Sequence, residues 1–399
     1  MIEMSKRVLI AGAGPVGLVA AVSLLEEGIP VTVLEASSDL AVDLRASTFH
    51  PPTIDFLDRL GLADGLIARG IKCPYWQFRD RKEGEVATFD LGLLASETKH
   101  PYRLQCEQWK LTEIARARLE ANPDAVLITD IVVEGVTQTA DSVEVVARRK
   151  TGEVERFMVP YLIGADGARS AVRKATGVAF PGLTIPEIFL SLSTPFAYHE
   201  AIEGLADISY FSDPDEWFVL LRTPTLWRVL FPTDPTLTDE AILDPARIEA
   251  HMQAVLPGAP YEIAHKTAYR VHERVADAYV HGRIFLVGDA AHLNNPLGGM
   301  GMNGGIHDAV NLTEKLAQVW RGEDISLMGR FERQRRKVAI ETVQAQALRN
   351  RAILNETDPA KRRAYHDELR ATVADRDRHF AYVMRSSMIQ SLRDLEDVA

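Results

Sequence analysis

The chain has 399 residues, of which 46% are hydrophobic and 25% charged, a composition typical of a globular protein that buries its own core. Its net charge of -11 includes no basic block, which argues against nucleic acid as a partner. Only Cys73 and Cys106 carry thiols, and no cysteine or histidine spacing suggests a metal. Two thiols favour a reduced, cytoplasmic protein, and an oxidised pair stays open as the alternative.

The apolar stretch at residues 8–25 follows two basic residues, as in a signal peptide. Three glycines interrupt it, and a second apolar run follows at residues 31–34. A strand, a turn, a helix and a second strand explain this pattern better than a targeting segment does. No other stretch is long and apolar enough to cross a bilayer, so we expect a soluble protein without a membrane partner.

The first motif is a glycine-rich turn between a predicted strand at residues 8–10 and a predicted helix at residues 18–27. Its first glycine permits a tight turn, the second lets a pyrophosphate approach the backbone, and the third lets helix and strand pack closely. An acid ends the next strand, at residues 29–34, where it can bind ribose hydroxyls. The predicted dinucleotide-binding residues are Gly12, Gly14, Pro15, Val16, Gly17, Glu35 and Ala36. This motif alone does not distinguish FAD from NAD.

Two further motifs follow predicted strands. Asp166 and Gly167 form a strong turn pair, and Ser170 behind them can meet a phosphate or cap a helix. Asp289 follows Gly288 at the carboxyl end of a buried strand, where open α/β sheets bind ligands, although it can also cap the next helix. Five glycines at residues 298–305 then precede a helix predicted at 306–316, which would offer a flat backbone surface and N–H groups to a planar ring.

These three motifs, in this order, resemble those of the flavin monooxygenases typified by para-hydroxybenzoate hydroxylase, over most of residues 5–350. The resemblance implies an α/β fold: a Rossmann-like (GR2-type) FAD-binding domain with an inserted antiparallel-sheet substrate domain and C-terminal helices. It implies that Asp166 and Gly167 serve both FAD and the nicotinamide nucleotide, and that Asp289, after Gly288, binds the ribityl chain. The flavin-ring residues by this resemblance are Pro296, Gly301, Met302 and Asn303. Many relatives carry a second proline where this chain has Asn295.

Two weaker matches add to the predicted FAD site. Arg45 is similar to a family arginine that neutralises pyrophosphate, or it is a surface residue at a helix start. Gln108 is similar to a family glutamine near the flavin chain, or it is a plain polar residue at a helix N-terminus. The predicted division is 1–72, 103–180 and 277–350 for the FAD-binding domain, 73–102 and 181–276 for the substrate-binding sheet, and 351–399 for a C-terminal helical segment. Residues 103–180 read as βαβ units, and the charged tail from 326 reads as a solvated cap or dimer contact.

The resemblance implies an aromatic-ring hydroxylase. Reduced nicotinamide, as NADH or NADPH, reduces FAD, O2 then gives a C4a-hydroperoxide, and its terminal oxygen passes to an electron-rich ring carbon. Phenols, hydroxybenzoates, nitrophenols and hydroxypyridines all stay open as substrates. The alternative is another FAD oxidoreductase on the same scaffold, such as a quinone-pathway or tailoring monooxygenase, a reductase or a halogenase. A homodimer is compatible with this reading.

Substrate residues are sought on the strands of the predicted inserted sheet. Tyr210 is the first candidate for a partner of the substrate phenol, with cross-strand packing as the alternative. Arg222 and Arg228 are similar to a family arginine pair of which one anchors a substrate carboxylate, while a surface or FAD-facing role stays open. Trp217 and His265 are further candidates for the pocket wall, and core packing is the alternative for the tryptophan.

Overall fold

The computed structural model describes residues 2–39 and 46–399. In these ranges the strands are β1 (Ile2–Glu3), β2 (Val8–Ala11), β3 (Val31–Leu34), β4 (Thr48–Phe49), β5 (Ile71–Cys73), β6 (Tyr75–Asp80), β7 (Gly84–Asp90), β8 (Arg103–Gln105), β9 (Ala125–Ile128), β10 (Ile131–Gln138), β11 (Val143–Arg149), β12 (Val154–Val159), β13 (Tyr161–Gly164), β14 (Gly182–Thr194), β15 (Ile208–Ser212), β16 (Phe218–Arg222), β17 (Trp227–Thr233), β18 (His265–Val275), β19 (Val280–His281), β20 (Ile284–Leu286) and β21 (His292–Leu293). The α-helices are α1 (Pro15–Glu26), α2 (Pro51–Arg59), α3 (Ala63–Ile67), α4 (Gln108–Glu120), α5 (Ala171–Thr176), α6 (Tyr198–Ala201), α7 (Asp239–Ile242), α8 (Pro245–Val255), α9 (Met300–Trp320), α10 (Met328–Lys337), α11 (Ala345–Leu354), α12 (Pro359–Ala374), α13 (Arg376–Ser386) and α14 (Ile389–Arg393).

A six-stranded sheet in the order β19-β20-β13-β2-β3-β9 forms the centre of the dinucleotide-binding part. Its strands run parallel except for β19 at one edge. Strands β2, β3 and β13 are buried along their whole length, as expected for a parallel sheet covered on both faces. Helix α1 packs against both α4 and α9. The α/β fold predicted from the motifs is confirmed.

Residues 131–159 differ from the predicted βαβ pattern. Strands β10, β11 and β12 form an antiparallel meander, and β1 adds to it parallel to β12. The cause is visible in β10 and β11, where buried and more exposed residues alternate, because alternation is typical of a sheet with one solvent face. Tight turns at 139–142 and 149–153 join the three strands without room for a helix.

The substrate side is an eight-stranded sheet in the order β21-β18-β14-β17-β16-β15-β6-β7. The predicted hairpin at residues 76–90 is confirmed, with β6 and β7 antiparallel across a turn at Gly84, where φ is +84°. The predicted strands near 188, 208, 217, 227 and 261 correspond to β14 to β18, although β18 begins four residues later than expected. Helices α12 and α13 pack on β7.

The charged tail is more than a solvated cap. Arg335 on α10 is 1% exposed and its Nε lies 2.6 Å from Asp308 Oδ1 on α9. Leu369 and Val383 on the following helices are buried in the core cluster beneath the eight-stranded sheet. None of the helices in residues 2–39 and 46–399 is long and apolar enough to span a bilayer. Both cysteines are buried and free.

Candidate flavin and substrate site

A cavity of about 630 Å³ begins at the carboxyl ends of β2, β3 and β13 and extends to the eight-stranded sheet. Its position follows the general rule for open α/β sheets, where ligands bind outside the carboxyl ends of the strands. Three turns that are far apart in the sequence meet at its wall, at residues 12–16, 165–167 and 287–289.

The glycines of the first turn have distinct structural roles. Gly12 has a φ of +102°, and a Cβ there would lie 2.4 Å from Ala165 O. A Cβ on Gly17 would lie 2.0 Å from Gly12 O, so glycine is needed for α1 to approach the turn. Gly14 lines the cavity, and a Cβ there would meet nothing within 4 Å. The backbone at Gly14 is therefore open to a bound group.

The Glu35 carboxylate is hydrogen-bonded to the backbone of this turn. Its Oε2 accepts a hydrogen bond from Ala13 N at 2.7 Å, and its Oε1 accepts one from Ser37 N at 2.9 Å. The carboxylate is thereby fixed at the cavity wall beside Ala36. A fixed carboxylate has remaining lone pairs for ribose hydroxyls.

Asp166 and Ser170 serve helix α5. Asp166 Oδ2 accepts hydrogen bonds from Ala171 N at 2.7 Å and Val172 N at 3.1 Å, and Ser170 Oγ accepts one from Arg173 N at 2.9 Å. Of the two open roles, Ser170 therefore takes the capping one. Asp166 itself still lines the cavity together with Gly167.

The third turn is supported by a buried carboxylate. Asp308 Oδ2 accepts hydrogen bonds from Gly288 N at 3.1 Å and from His292 Nε2 at 2.6 Å, while Oδ1 accepts the one from Arg335. The charges of His292 and Arg335 lower the pKa of Asp308 despite the opposing effect of its complete burial. The result is an ionised anchor that holds the backbone directly before Asp289.

The loop at residues 296–299 is held from below by residues around β4. His50 Nε2 donates to Gly298 O at 2.8 Å, and burial lowers the pKa of His50 to about 3, so the ring is neutral. Asn303 Nδ2 donates to Thr48 O at 2.8 Å and Gly299 O at 2.6 Å, and its Oδ1 accepts from His50 N at 2.9 Å. This network fixes the loop relative to α2.

Helix α9 corrects the expected position of the glycine-rich surface. It begins at Met300, six residues before the predicted start, so that Gly301, Gly304 and Gly305 lie within the helix. The reason is close packing: a Cβ on Gly305 would lie 2.7 Å from Val16 Cγ2 and 3.0 Å from Gly288 Cα. The first turn of α9, with Gly301 and Met302, thus faces the cavity directly.

The cavity wall fits FAD. Two helices, α1 and α9, begin at this wall, and neither has a side chain that caps its first N–H groups. Uncapped helix N-termini carry partial positive charge and attract anionic or electron-rich groups. A dinucleotide with a pyrophosphate at one end and a flavin ring at the other presents such groups to both termini.

The predicted FAD residues fall into two groups. The residues that line the cavity are Gly12, Gly14, Pro15, Val16, Glu35, Ala36, Gln108, Asp166, Gly167, Asp289, Pro296, Gly301 and Met302. Gly17, Gly288 and Asn303 lie behind the wall, where they shape or hold it. Arg45 lies outside the described residues.

Of the predicted substrate residues, two line the cavity and three do not. Tyr210 and Arg228 line the cavity, and Arg228 Nη1 donates to Ser47 Oγ at 3.3 Å. Arg222 is instead half-exposed and paired with Asp207 at 3.1 Å, because its side chain alternates to the opposite side of the sheet from Leu221. Trp217 is buried in a core cluster and donates to Asn355 Oδ1 at 2.9 Å, and His265 is exposed at the start of β18; neither is part of this wall.

Several wall residues were absent from the predicted set. Val219, Leu221, Leu230 and Tyr269 form an apolar end of the cavity beside Tyr210. Behind Tyr210, Arg103 and side chains of α11 to α13 line a small cavity of about 40 Å³. The period-2 alternation of the strands could have identified Val219 and Leu221, whereas nothing local marks the tail residues as part of the site.

The family model described as "FAD binding domain" matches residues 5–346, which is most of the chain. The chain belongs to the family of FAD-dependent aromatic monooxygenases. This monooxygenase is 34% identical to the para-nitrophenol 4-monooxygenase of Pseudomonas sp. strain WBC-3, over 98% of its own length and 95% of the relative. It is 36% identical to the 6-hydroxy-3-succinoylpyridine 3-monooxygenase of Pseudomonas putida strain S16, over 87% of its own length and 88% of the relative.

The fold of the monooxygenase is equally similar to a solved structure. The crystal structure of p-nitrophenol 4-monooxygenase from Pseudomonas putida DLL-E4 superposes with a TM-score of 0.92 at 30% identity, covering 98% of this chain and 99% of that one. The match includes the C-terminal helices, because it extends over almost all of both chains. The predicted family and its FAD cofactor are confirmed.

Proposed function

We propose that this monooxygenase hydroxylates a single-ring phenol with electrons from NADH or NADPH and oxygen from O2. The proposal rests above all on one observation: the cavity that carries the dinucleotide-binding turns is also lined by Tyr210 and by mostly apolar side chains of the strands beside it. The two relatives named above act on para-nitrophenol and on 6-hydroxy-3-succinoylpyridine, which supports a small ring rather than a large polycyclic one. Residues 1–72, 103–180 and 277–350 would form the FAD-binding domain, residues 73–102 and 181–276 the substrate domain, and 351–399 the helical segment behind it.

In this proposal the chain binds FAD along the cavity wall. The turn at residues 12–16 and the α1 N-terminus take the pyrophosphate, and Glu35 takes the ribose. Asp289 and Gln108, which line the cavity, would bind the ribityl chain, and the first turn of α9 would support the electron-rich edge of the ring. When bound, FAD supplies hydride acceptance and oxygen activation, which the protein side chains cannot perform.

The protein side chains would orient the substrate, exclude water from around it and assist the loss of its phenol proton. Val219, Leu221 and Leu230 exclude water from one side of the cavity. The Tyr210 hydroxyl would hydrogen-bond the substrate oxygen and keep the ring in one orientation, because β15 fixes the tyrosine between β16 and β6. Deprotonating that oxygen makes the ring carbons ortho and para to it more nucleophilic.

The test is rapid mixing of the FAD-loaded enzyme with NADH or NADPH, with and without phenols such as 4-nitrophenol. We expect flavin reduction to be much faster with a phenol present and the hydroxylated ring to be recovered as product. Tyr210→Phe should lower product formation at least about tenfold, the size of one lost hydrogen bond to a charged group, while it leaves FAD binding unchanged. Reduction that no phenol accelerates would favour the alternative, another FAD oxidoreductase on this scaffold.

We also propose that the enzyme acts in the cytoplasm as a homodimer. The two free cysteines are compatible with a reducing compartment. Sedimentation of the FAD-loaded protein measures the assembly, and a dimer would appear at twice the 44.3 kDa of the chain.

A further inference from the structure

The segment at residues 388–398, which includes α14 and is called the brace segment below, is joined to helix α9 of the flavin site in two places. The first junction is apolar and lies at the start of the helix. Met300, the first residue of α9, belongs to a buried cluster whose other members are Val338, Val343, Met388 and Leu395. The brace segment therefore contributes two of the side chains that surround the beginning of α9.

The second junction is polar and passes through Gln334 on α10, a side chain that is buried. Gln334 Nε2 donates to Leu395 O at 2.8 Å and to Val398 O at 3.2 Å. Gln334 Oε1 accepts a hydrogen bond from Asn311 Nδ2 on α9 at 3.1 Å. Asn311 lies about 16 Å along the helix axis from Met300, so the two junctions hold α9 at two separate points.

The backbone of the brace segment is strained at Met388, where φ is +70°. A residue with a side chain rarely adopts this left-handed conformation, and it persists only where the surrounding structure determines it. Met388 is completely buried in the same cluster as Met300. The packing that maintains this strained conformation is therefore the packing that surrounds the start of α9.

The start of α9 is the part of the helix that faces the flavin cavity. Gly301 and Met302 line the cavity, and no side chain caps the first N–H groups of the helix. Reduction of a flavin places negative charge on its ring, and the positive end of a helix dipole stabilises that charge. The interaction falls off within the first turn, so a small displacement of this turn would affect reduced FAD more than oxidised FAD.

We propose that Leu395 and Gln334 are positioning residues, through which the brace segment holds the first turn of α9 against the flavin ring and favours the reduced flavin. Neither side chain lines the flavin cavity or the small cavity behind Tyr210, so both act through α9. This inference goes beyond the proposed function, because it depends on the FAD that the family binds and on no particular substrate.

The experiment measures the midpoint potential of FAD-loaded protein by equilibration with a reference dye, without any substrate. Leu395→Ala opens space in the cluster and allows the start of α9 to move. We expect the preference for reduced over oxidised FAD to fall about tenfold, which is within the range of helix-terminus interactions. For a two-electron couple this is a fall of about 30 mV in midpoint potential. Gln334→Met keeps a long side chain but loses the bonds to Asn311 and Leu395, so it should shift the potential in the same direction by a smaller amount.

Two controls separate positioning from general stability. Leu395→Met nearly conserves the side-chain volume and should restore the wild-type potential. Ile248→Ala is the matched control, because Ile248 and Leu395 are each 5% exposed, and Ile248 lies in a separate core cluster outside both cavities. It loses as many carbons as Leu395→Ala does, so its melting temperature should fall by a similar amount while its potential stays at the wild-type value.

Leu395→Ala with a lower melting temperature and a wild-type potential would overturn the proposal, because the brace segment would then only stabilise the fold. Equal shifts of the potential in Leu395→Ala and Ile248→Ala would overturn it as well. If Leu395→Ala does not fold, Gln334→Met decides, and an unchanged potential in that variant is the contrary result. A phenol that fails to accelerate flavin reduction contradicts the proposed function alone, since these potentials are measured without substrate.

Discussion

Removing the charge of Asp308 should lower the free energy of unfolding more than removing one partner of any single surface ion pair. Asp308→Asn is nearly isosteric, but it leaves Arg335 buried without a counter-ion and weakens the anchor of Gly288. Breaking a buried pair by removing one partner costs about 3–5 kcal/mol. A chain of 399 residues has an unfolding entropy of about 0.8 kcal/mol/K, so the expected fall in melting temperature is roughly 4–6 °C.

The assay is thermal unfolding followed by circular dichroism, on FAD-loaded and FAD-free protein. Glu314→Gln is the matched control, because Glu314 pairs with Arg59 at 3.6 Å with both side chains about half exposed. An exposed pair contributes at most about 1 kcal/mol, so this variant should melt within about 1 °C of wild type.

A double variant, Asp308→Asn with Arg335→Met, removes both charges and should recover part of the lost stability, because an apolar side chain replaces the uncompensated cation. FAD release should also be faster in Asp308→Asn, since the turn before Asp289 is less firmly held. If Asp308→Asn melts like the exposed control, the buried pair does not stabilise the fold and this reasoning is refuted.

Three other outcomes follow from the site. Gly305→Ala places a Cβ 2.7 Å from Val16 Cγ2, so it should move α9 away from the first turn and weaken FAD binding at least about tenfold, as measured by flavin fluorescence titration. Glu35→Gln should weaken FAD binding roughly 5- to 50-fold, because a charged acceptor becomes neutral, and unchanged binding would contradict the ribose role. The pKa of His50 falls from 6.5 to about 3 on folding. Below pH 6.5 the unfolded chain therefore binds a proton that the folded chain does not. The free energy of unfolding then decreases by up to about 1.4 kcal/mol for each pH unit towards acid. Urea unfolding of His50→Gln should show a shallower loss towards acid pH, whereas the exposed His265→Gln control should keep the wild-type slope.

The parts of the fold that depend on local pattern were predictable from the sequence. The first strand, turn and helix were placed within a few residues, because a buried strand, spaced glycines and an apolar helix lie together in one short segment. The predicted start of α9 is six residues too late, because the glycines at this end have low helix propensity. Close packing of Gly305 against Val16 nevertheless favours a helix there. Local propensity alone does not contain that contact.

The substrate side was less predictable for a related reason. Tyr210 could be found because it alternates on a strand, but Arg103 and Tyr382 meet only through a contact between residues far apart in the chain. Trp217 was attractive by residue type, and its environment instead makes it a core residue bonded to Asn355. Residue type suggests which chemistry is available, whereas long-range packing decides which side chains reach the cavity.

The bonds from His50 and Asn303 to the loop at residues 298–299 have a consequence for biosynthesis. The bond from His50 to Gly298 and the bond from Asn303 to Thr48 join segments about 250 positions apart, so a ribosome must add most of the polypeptide before the flavin cradle can close. By then β13 and β20 have already been added beside β2, but the cavity wall next to them still lacks the loop and the first turn of α9, so its apolar surface is available to chaperones or to aggregation. Flavin supply during expression should accordingly affect the yield of soluble protein late in synthesis, after α9 has emerged.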